Sequence, residues 1–568
     1  MPWMCLYGNR LSVREQNISE SDMEEKQHYT INEFILTLQK QGMLLDSNVG
    51  ADEPGLNNIG DSPVSGLTYN SKEAEPGTLF VCKGETFKQE YLQEAFDRGA
   101  ICYVSETPYP VYPAADKTAG ESDSTAQRVP AIIVKNVREA MPVLAAKYYR
   151  RPWENLKVTG VGGTKGKSTS VYYMKAIVDD YMASIGGKES AVISSIEMYD
   201  GKERYESHIT TPEAMELQRH MRNAVDSGIE YLQMEVSSQA LKYNRVDEIR
   251  LDVGVYMNIS EDHISPIEHS SFDDYFTSKM KMFAMTDTAI INMDSDHADI
   301  VLEHARTSAR RVITFAVTGE RICAEEMKLD FCAYDVKKKG LGTDFKVKYA
   351  GTVPGIPDAF DEQFELTMPG FFNVENALGV IAAAVCLEIP MEYIKSGIRR
   401  ARSSGRMETT ISRDGKVIAI VDYAHNKLSF EKLYGSTVME YPGCSIVGIF
   451  GCPGGKAFNR REELALIAGE AAEKLYLVPE DPGPEEPEEI SRQIAEHVKK
   501  TGCPYEIIDN RGDAIRKAIF EDCSNDKKVL LITGKGDETR QKIGKEYIDC
   551  ESDTSFVARF MEEYDEKI

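Results

Sequence analysis

The sequence predicts an α/β protein of several doubly wound domains, and three observations carry that prediction. Short apolar runs alternate with helix-compatible stretches along most of the chain. One of these alternations holds a glycine-rich turn between an apolar run and a helix, at residues 156–178. A second set of apolar runs begins after residue 403. At 568 residues the chain has room for three or four domains. In order, the strand-like runs are 78–82, 100–104 and 131–134, then 231–236, 251–257 and 288–292, then 417–421, 445–450, 474–478 and 528–532. A helix is expected over 376–387, loops over 108–127 and 479–487, and a tail over 1–28; there is no internal repeat.

Composition limits function. Lysine and arginine total 66 against 92 aspartates and glutamates, a net charge of −26. Such an excess repels nucleic-acid backbones and anionic membranes, but not a small anion held in a locally positive cleft. Hydrophobic residues make up 42% and charged residues 28%, the balance of a folded globular chain. The 11 cysteines are scattered without a CxxC pair, which argues against zinc and for reduced thiols. No apolar run approaches a membrane helix, and Arg10, Arg14, Glu15, Glu20 and Glu24 leave no signal-peptide core. A cytoplasmic protein is expected.

The turn at 163–169 reads Gly163-Thr164-Lys165-Gly166-Lys167-Ser168-Thr169. Glycines let backbone N–H groups turn toward phosphate oxygens, and the following helix adds positive potential at its N-terminus. Lys167 can neutralise β- and γ-phosphate charge, and the Ser168 or Thr169 hydroxyl can ligate Mg²⁺. A strict version of this loop has glycine at position 161, where this chain has Val161 between Gly160 and Gly162.

Further blocks extend the pattern. Residues 235–241 read EVSSQAL, 258–263 NISEDH, 275–283 YFTSKMKMF and 369–377 PGFFNVENA. With the phosphate loop, and in this order, they resemble the Mur ligase superfamily. Residues 69–72 (YNSK) with 76–81 (PGTLFV), 208–213 (HITTPE), 421–425 (VDYAH) and 534–539 (GKGDET) narrow the resemblance to the MurE type, which adds the third amino acid to a UDP-MurNAc peptide. It implies three domains after the tail: a UDP-substrate-binding α/β domain at 29–150, a central P-loop ATPase domain with a parallel sheet at 151–403, and a C-terminal Rossmann-like, amino-acid-binding domain at 404–568. It also implies a monomer whose substrates are ATP, the UDP-MurNAc-dipeptide and a free amino acid.

The chemistry fits such a set of parts. A carboxylate is a poor electrophile until ATP converts it to an acyl phosphate, which an amine then attacks, so phosphates, cation and two substrates must be held in line. The resemblance makes Lys167, Glu235, His263 and Lys279 the catalytic group. Ser168, Glu235 and His263 become Mg²⁺ ligands, and Lys279 becomes a carbamate formed with CO₂. Lys281 is a neighbouring candidate for that modification, with Phe283 as the anchor that favours Lys279. ATP would meet residues 163–169, Asn373, Asn376, Arg406, Asp422 and His425. The UDP substrate would meet Ser71, Thr210, Thr211, Ser237 and Arg245, and the amino acid Asp481, Pro482, Gly483, Glu485, Gly534 and Glu538.

The chain departs from the pattern where the amino acid would bind. Diaminopimelate-adding members resemble one another in a DNPR loop, whose arginine pairs with the substrate's second carboxylate. Here that stretch is Glu480-Asp481-Pro482-Gly483, with no guanidinium. Glu480, Asp481, Glu485 and Glu486 would attract a cationic side chain, favouring L-lysine or a similar amino acid over meso-diaminopimelate. Asp537 stands where the type has histidine, Asn426-Lys427 where Thr-Pro is common, and Lys72 where arginine is usual. Three alternatives stay open: a diaminopimelate ligase, a folylpolyglutamate synthase-like ligase, and a non-catalytic nucleotide-gated scaffold.

Overall fold

The computed structural model describes residues 28–50, 59–84, 87–111, 129–207, 209–261, 264, 268–318, 328–352, 355 and 359–568. The tail expected before His28, residues 112–127 of the first loop, His208, Asp262 and His263 lie outside the described residues. The described residues fall into two compact units, divided between Arg150 and Arg151.

The first unit is a five-stranded sheet in the order Leu44–Ser47, Ala131–Val134, Cys102–Ser105, Thr78–Val81, Gly66–Thr68. All neighbours are parallel except the edge strand Leu44–Ser47. The three middle strands are buried along their whole length, which is why they read as unbroken apolar runs. Helix Ile31–Lys40 starts at a reciprocal cap, Thr30 accepting from Glu33 N and Glu33 from Thr30 N.

The second unit holds two larger sheets. Its 11-stranded sheet centres on the parallel strands Tyr231–Glu235, Lys157–Gly162, Leu251–Tyr256, Thr286–Asn292 and Arg311–Val317. Helix Lys167–Ser184 packs on this sheet and is itself covered by helix Met391–Arg400. The approach is close enough to demand a glycine: a Cβ at Gly397 would stand 2.4 Å from Ile177 Cα. Antiparallel strands Phe331–Lys339, Gly342–Tyr349 and Phe360–Leu366 extend one edge, beyond anything expected from the sequence.

The other sheet runs Glu408–Ile411, Val417–Asp422, Lys528–Thr533, Ser445–Phe450, Lys474–Leu477, Tyr505–Ile507, parallel except at its first strand. A buried ion pair anchors the last helix, Asp553–Lys567, to it. Arg511 donates to Asp553 through Nε (2.8 Å) and Nη2 (2.5 Å), and to the carbonyls of Pro479 and Thr533 (3.2 and 2.9 Å). Arg511 thus ties the Pro479 loop to the sheet's strand ends.

The two sheets of this unit are joined through helix Lys427–Glu440. Its buried Glu440 accepts from the N–H groups of Gly370 (3.2 Å) and Phe371 (2.9 Å), and Lys432 pairs with Glu375 (2.7 Å). Those N–H groups precede helix Asn373–Cys386, which begins three residues earlier than the apolar pattern suggests. The stretch 479–487 is also not all loop. Pro487 opens helix Pro487–Val498, and Glu488 and Glu489 fill its first turn, where negative charge suits the helix dipole. All described cysteines are free thiols, and among the described residues no helix is long and apolar enough to cross a membrane.

Candidate functional site

Strands Lys157–Gly162, Tyr231–Glu235 and Leu251–Tyr256 end side by side, where parallel α/β sheets present their ligand groups. The glycine-rich loop leaves the first of them and enters helix Lys167–Ser184 through Gly166, at φ +85°. Only glycine fits there, since a Cβ would lie 2.3 Å from Asn376 Oδ1. Asn258 braces the loop, accepting from Lys165 N (2.8 Å) and donating to Lys165 O (3.1 Å), while its own carbonyl takes Thr164 N (2.9 Å). Thr164 Oγ1 lies 2.9 Å from the Tyr275 hydroxyl and accepts from Ser260 N at 3.1 Å.

Two lysines converge on this loop. Lys167 Nζ donates to Gly163 O (3.0 Å) and Thr164 O (3.1 Å), and Lys279 Nζ donates to the same Gly163 O at 2.8 Å. Lys279 is buried in the last turn of helix Phe272–Met280, its ammonium 4.7 Å from the centre of the Tyr275 ring, with Phe283 buried just beyond. Lys281 points elsewhere, donating to Leu241 O at 3.3 Å.

Glu235 ends its strand almost fully buried. Its Oε1 accepts both the N–H (2.8 Å) and the O–H (3.0 Å) of Ser195, whose Oγ lies 3.1 Å from Ser168 Oγ. Among the described residues Glu235 Oε2 takes no hydrogen bond. Ser168 and Glu235 are thus linked through Ser195, and both offer hard oxygen donors, the donor chemistry Mg²⁺ prefers. Ser195 belongs to no motif that marks it in the sequence.

Thr211 steadies this strand end: its hydroxyl donates to Glu235 O (2.9 Å) and accepts from Ser237 N (3.1 Å). Arg245 donates to Thr211 O (3.2 Å) and pairs with Glu213 (3.0 Å), leaving its buried Nε without a partner among the described residues. Thr210 is half-buried on the same loop. Ser71 belongs to the first unit, where its hydroxyl donates to Glu94 at 2.7 Å and helps hold that carboxyl below its usual range.

A second group gathers at the adjoining sheet. Asn373 donates to Pro369 O (2.7 Å) and accepts from Asn376 Nδ2 (2.9 Å), so both amides are oriented beside Gly166. Asp422 accepts from Met407 N (2.9 Å) and Ala424 N (2.8 Å); burial raises its carboxyl, with Arg406 and Lys165 close enough to oppose the rise. The Arg406 guanidinium sits 4.5 Å from the Tyr423 ring centre, and His425 Nδ1 lies 2.7 Å from Tyr423 O.

The expected amino-acid loop is sorted by its partners. Asp481 takes Lys535 Nζ (3.0 Å) and Lys542 N (3.1 Å), and Glu538 takes Lys535 Nζ at 2.5 Å. Glu485 is held by an ion pair: both its oxygens receive Arg461 Nη2 (2.9 and 3.0 Å), and its Oε1 also receives Gly455 N. Gly483, at φ +54°, exchanges backbone hydrogen bonds with hairpin Arg540–Ile543/Glu546–Asp549, and the Pro482 carbonyl packs against Gly454. Glu480 is different. It is buried, its Oε2 has no partner among the described residues, and a Cβ on Gly534 would lie 3.2 Å from that oxygen. Burial pushes its carboxyl up to about 7, against the pull of Arg460, Arg511 and Lys535 and with Asp481 adding to the rise.

Elsewhere among the described residues, Asp200, Glu203 and His220 lie within reach of a common cation. Arg219 donates to Glu203 there at 2.5 Å, so a guanidinium already supplies the positive charge.

Comparison with known proteins places this geometry. The Mur ligase middle domain matches residues 161–384, and the Mur ligase, glutamate ligase domain matches residues 405–536. The UDP-N-acetylmuramoyl-L-alanyl-D-glutamate–L-lysine ligase of Enterococcus faecalis is 33% identical over 85% of this chain and 89% of its own length. The UDP-N-acetylmuramyl-tripeptide synthetase of Bifidobacterium longum is 32% identical over 94% of this chain and 97% of its own. A solved UDP-N-acetylmuramoyl-L-alanyl-D-glutamate–2,6-diaminopimelate ligase superposes with a TM-score of 0.60 at 19% identity, covering 94% of this chain and 99% of that one, a likeness of fold.

Proposed function

Because the chain belongs to the Mur ligase family, in its UDP-N-acetylmuramyl-tripeptide synthetase type, we propose that it joins L-lysine, or a similar diamino monocarboxylic acid, to the D-Glu γ-carboxyl of UDP-MurNAc-L-Ala-D-Glu. It is an ATP-dependent ligase that forms an amide bond. The observation that carries the choice of lysine is Glu480: a buried carboxylate with an unpartnered oxygen beside Gly534, in a loop where Gly483 offers no guanidinium to a second substrate carboxylate. The name of the Enterococcus faecalis relative supports the same reading.

In this reading the loop amides, the helix N-terminus and Lys167 bind the ATP phosphates, while Asn373 and Asn376 flank the adenine. Ser168 and Glu235, with His263, would hold Mg²⁺, which neutralises phosphate charge and makes the phosphoryl group easier to attack. Arg406, Asp422 and His425 approach ATP from the C-terminal sheet. Thr210, Thr211, Ser237 and Arg245 meet the UDP substrate. Ser71 is the UDP-substrate residue assigned within the 29–150 domain. The central domain is 151–403 and the amino-acid domain 404–568, where Asp481 and Glu538, oriented by Lys535, complete the pocket around Glu480. The enzyme works as a cytoplasmic monomer.

Purified protein given ATP, Mg²⁺, the UDP-dipeptide and a panel of lysine, ornithine and meso-diaminopimelate tests this. Phosphate release should require all components and run fastest with lysine. Release without the UDP-dipeptide would overturn the ligase reading, and diaminopimelate outpacing lysine would overturn the assignment of Glu480.

A pH profile follows from the raised carboxyl. Only ionised Glu480 attracts an ammonium group, and near a pKa of about 7 the ionised fraction falls as pH drops. The KM for lysine should therefore rise about tenfold from pH 8 to pH 6. Glu480→Gln should have a high KM at both values, and a wild-type KM that ignores pH in this range would remove Glu480 from the pocket.

A further inference from the structure

Ser195 follows strand Ala191–Ile193, which lies parallel to Tyr231–Glu235 with Ile193 opposite Met234. The chain turns sharply after this strand. Ser194 N donates to Glu197 O (3.1 Å), and Ser194 Oγ accepts from Ile196 N (3.1 Å) and Glu197 N (3.0 Å). That turn delivers both donors of Ser195 to one oxygen, Oε1 of the buried Glu235, at 2.8 and 3.0 Å.

Hydrogen counting then fixes a direction. A serine hydroxyl has one hydrogen, and an ionised carboxylate can only accept. A hydrogen bond to a charged acceptor is the stronger choice, so the Ser195 hydrogen goes to Glu235. At the 3.1 Å contact between the two hydroxyls, Ser168 must then be the donor. The chain runs Ser168 O–H to Ser195 Oγ, and Ser195 O–H to Glu235 Oε1. Its result is that the Ser168 hydrogen is turned toward Ser195, its lone pairs are left for another partner, and Glu235 keeps Oε2 clear.

We propose that Ser195 is a positioning residue for the divalent cation, orienting the donor oxygens of Ser168 and Glu235 before the metal arrives. The inference rests on the reading of Ser168 and Glu235 as the metal's protein donors, and adds a residue that touches neither metal nor substrate. Partners of this kind are worth a large factor, because a ligand whose lone pair already points at the cation loses no rotational freedom on binding it.

Mn²⁺ binding to the full chain saturated with ADP, followed by electron paramagnetic resonance, tests it, with ADP affinity in EDTA as the control. Ser195→Ala keeps the N–H but loses the relay; it should weaken Mn²⁺ binding about tenfold while leaving metal-free ADP binding unchanged. Ser195→Thr restores a hydroxyl and should recover most of the affinity. Wild-type Mn²⁺ affinity in Ser195→Ala overturns the proposal, as does an equal loss of ADP binding in EDTA, which marks general damage to the loop. Glu235→Ala separates the underlying reading: if it binds Mn²⁺ like the wild type, Glu235 is not a metal donor, whatever Ser195 does.

Discussion

Lys279→Ala should lower kcat by about 10³-fold, the scale of losing a fixed electrostatic group at a reacting centre. The reason lies in what surrounds this side chain. Lys279 is buried, and its Nζ shares the Gly163 carbonyl with Lys167 Nζ, at 2.8 and 3.0 Å. Two ammonium groups on one oxygen repel each other, and burial strengthens the repulsion. We propose that carbamate formation removes it. The ammonium would lose a proton, the neutral amine would add to CO₂ with a C–N bond formed and a C–O π bond broken, a second proton would leave to solvent, and the side chain would become an anion facing the Lys167 cation. Repulsion would then be exchanged for attraction beside the phosphate loop, at a position where an anion can orient a divalent cation.

Two arms separate this account from a simple need for a lysine. Wild-type turnover should fall in CO₂-stripped buffer and recover with bicarbonate, whereas Lys279→Ala should ignore bicarbonate. A carbamate resonance should appear in wild-type protein equilibrated with ¹³C-bicarbonate and be missing from the variant. If Lys279→Ala retains turnover within about tenfold of wild type, no anion is needed at this position. If turnover falls but bicarbonate has no influence on the wild type, Lys279 acts unmodified.

The sequence exposes much of this site and conceals some of it for identifiable reasons. Strands Val417–Asp422, Ser445–Phe450 and Lys528–Thr533 are covered on both faces, so they appear as continuous apolar runs. Hairpin Arg540–Ile543/Glu546–Asp549 has no such signature, because its second strand is wholly exposed. It is held instead by backbone pairing, Gly483 N to Lys542 O (3.0 Å) and Gly544 N to Gly483 O (2.6 Å). Strand Phe331–Lys339 ends in three consecutive lysines and alternates only weakly, so its apolar first half gives little warning of a long antiparallel ladder.

Side-chain roles divide in the same way. Lys167, Ser168 and Glu235 announce themselves because a phosphate loop and a strand-end carboxylate are local patterns. Ser195 does not, since its meaning depends on a strand 40 residues away in sequence from Glu235 lying alongside it in space. Glu480 is one of four acids in its loop until burial separates them: Asp481 is neutralised by Lys535 and Glu485 by Arg461, and Glu486 is exposed, leaving Glu480 as the buried acid with an oxygen in hand. Counting charge in that loop points to a pocket for a cation but cannot rank the four carboxylates, because their ranking depends on partners distant in sequence.

Lys167→Met should cost about 10²–10³-fold in kcat/KM for ATP, with little change in the stability of the nucleotide-free protein. Lys167 is the first residue of its helix, and its ammonium folds back over the loop onto Gly163 O (3.0 Å) and Thr164 O (3.1 Å). Lys167 is only half-buried, so water can replace it on those carbonyls, and the folding cost should stay near about 1 kcal/mol. Its compact charge matters when phosphates lie over the same loop. Lys167→Arg keeps the charge but spreads it over a planar fork that cannot make the same approach, so it should recover only part of the rate. The substitution also reaches Lys279. If the Lys279 carbamate is stabilised by the Lys167 cation, Lys167→Met should need more bicarbonate to give the same ¹³C carbamate signal. An unchanged signal would mean that the two lysines act independently, and that the loss of rate comes from the phosphates alone.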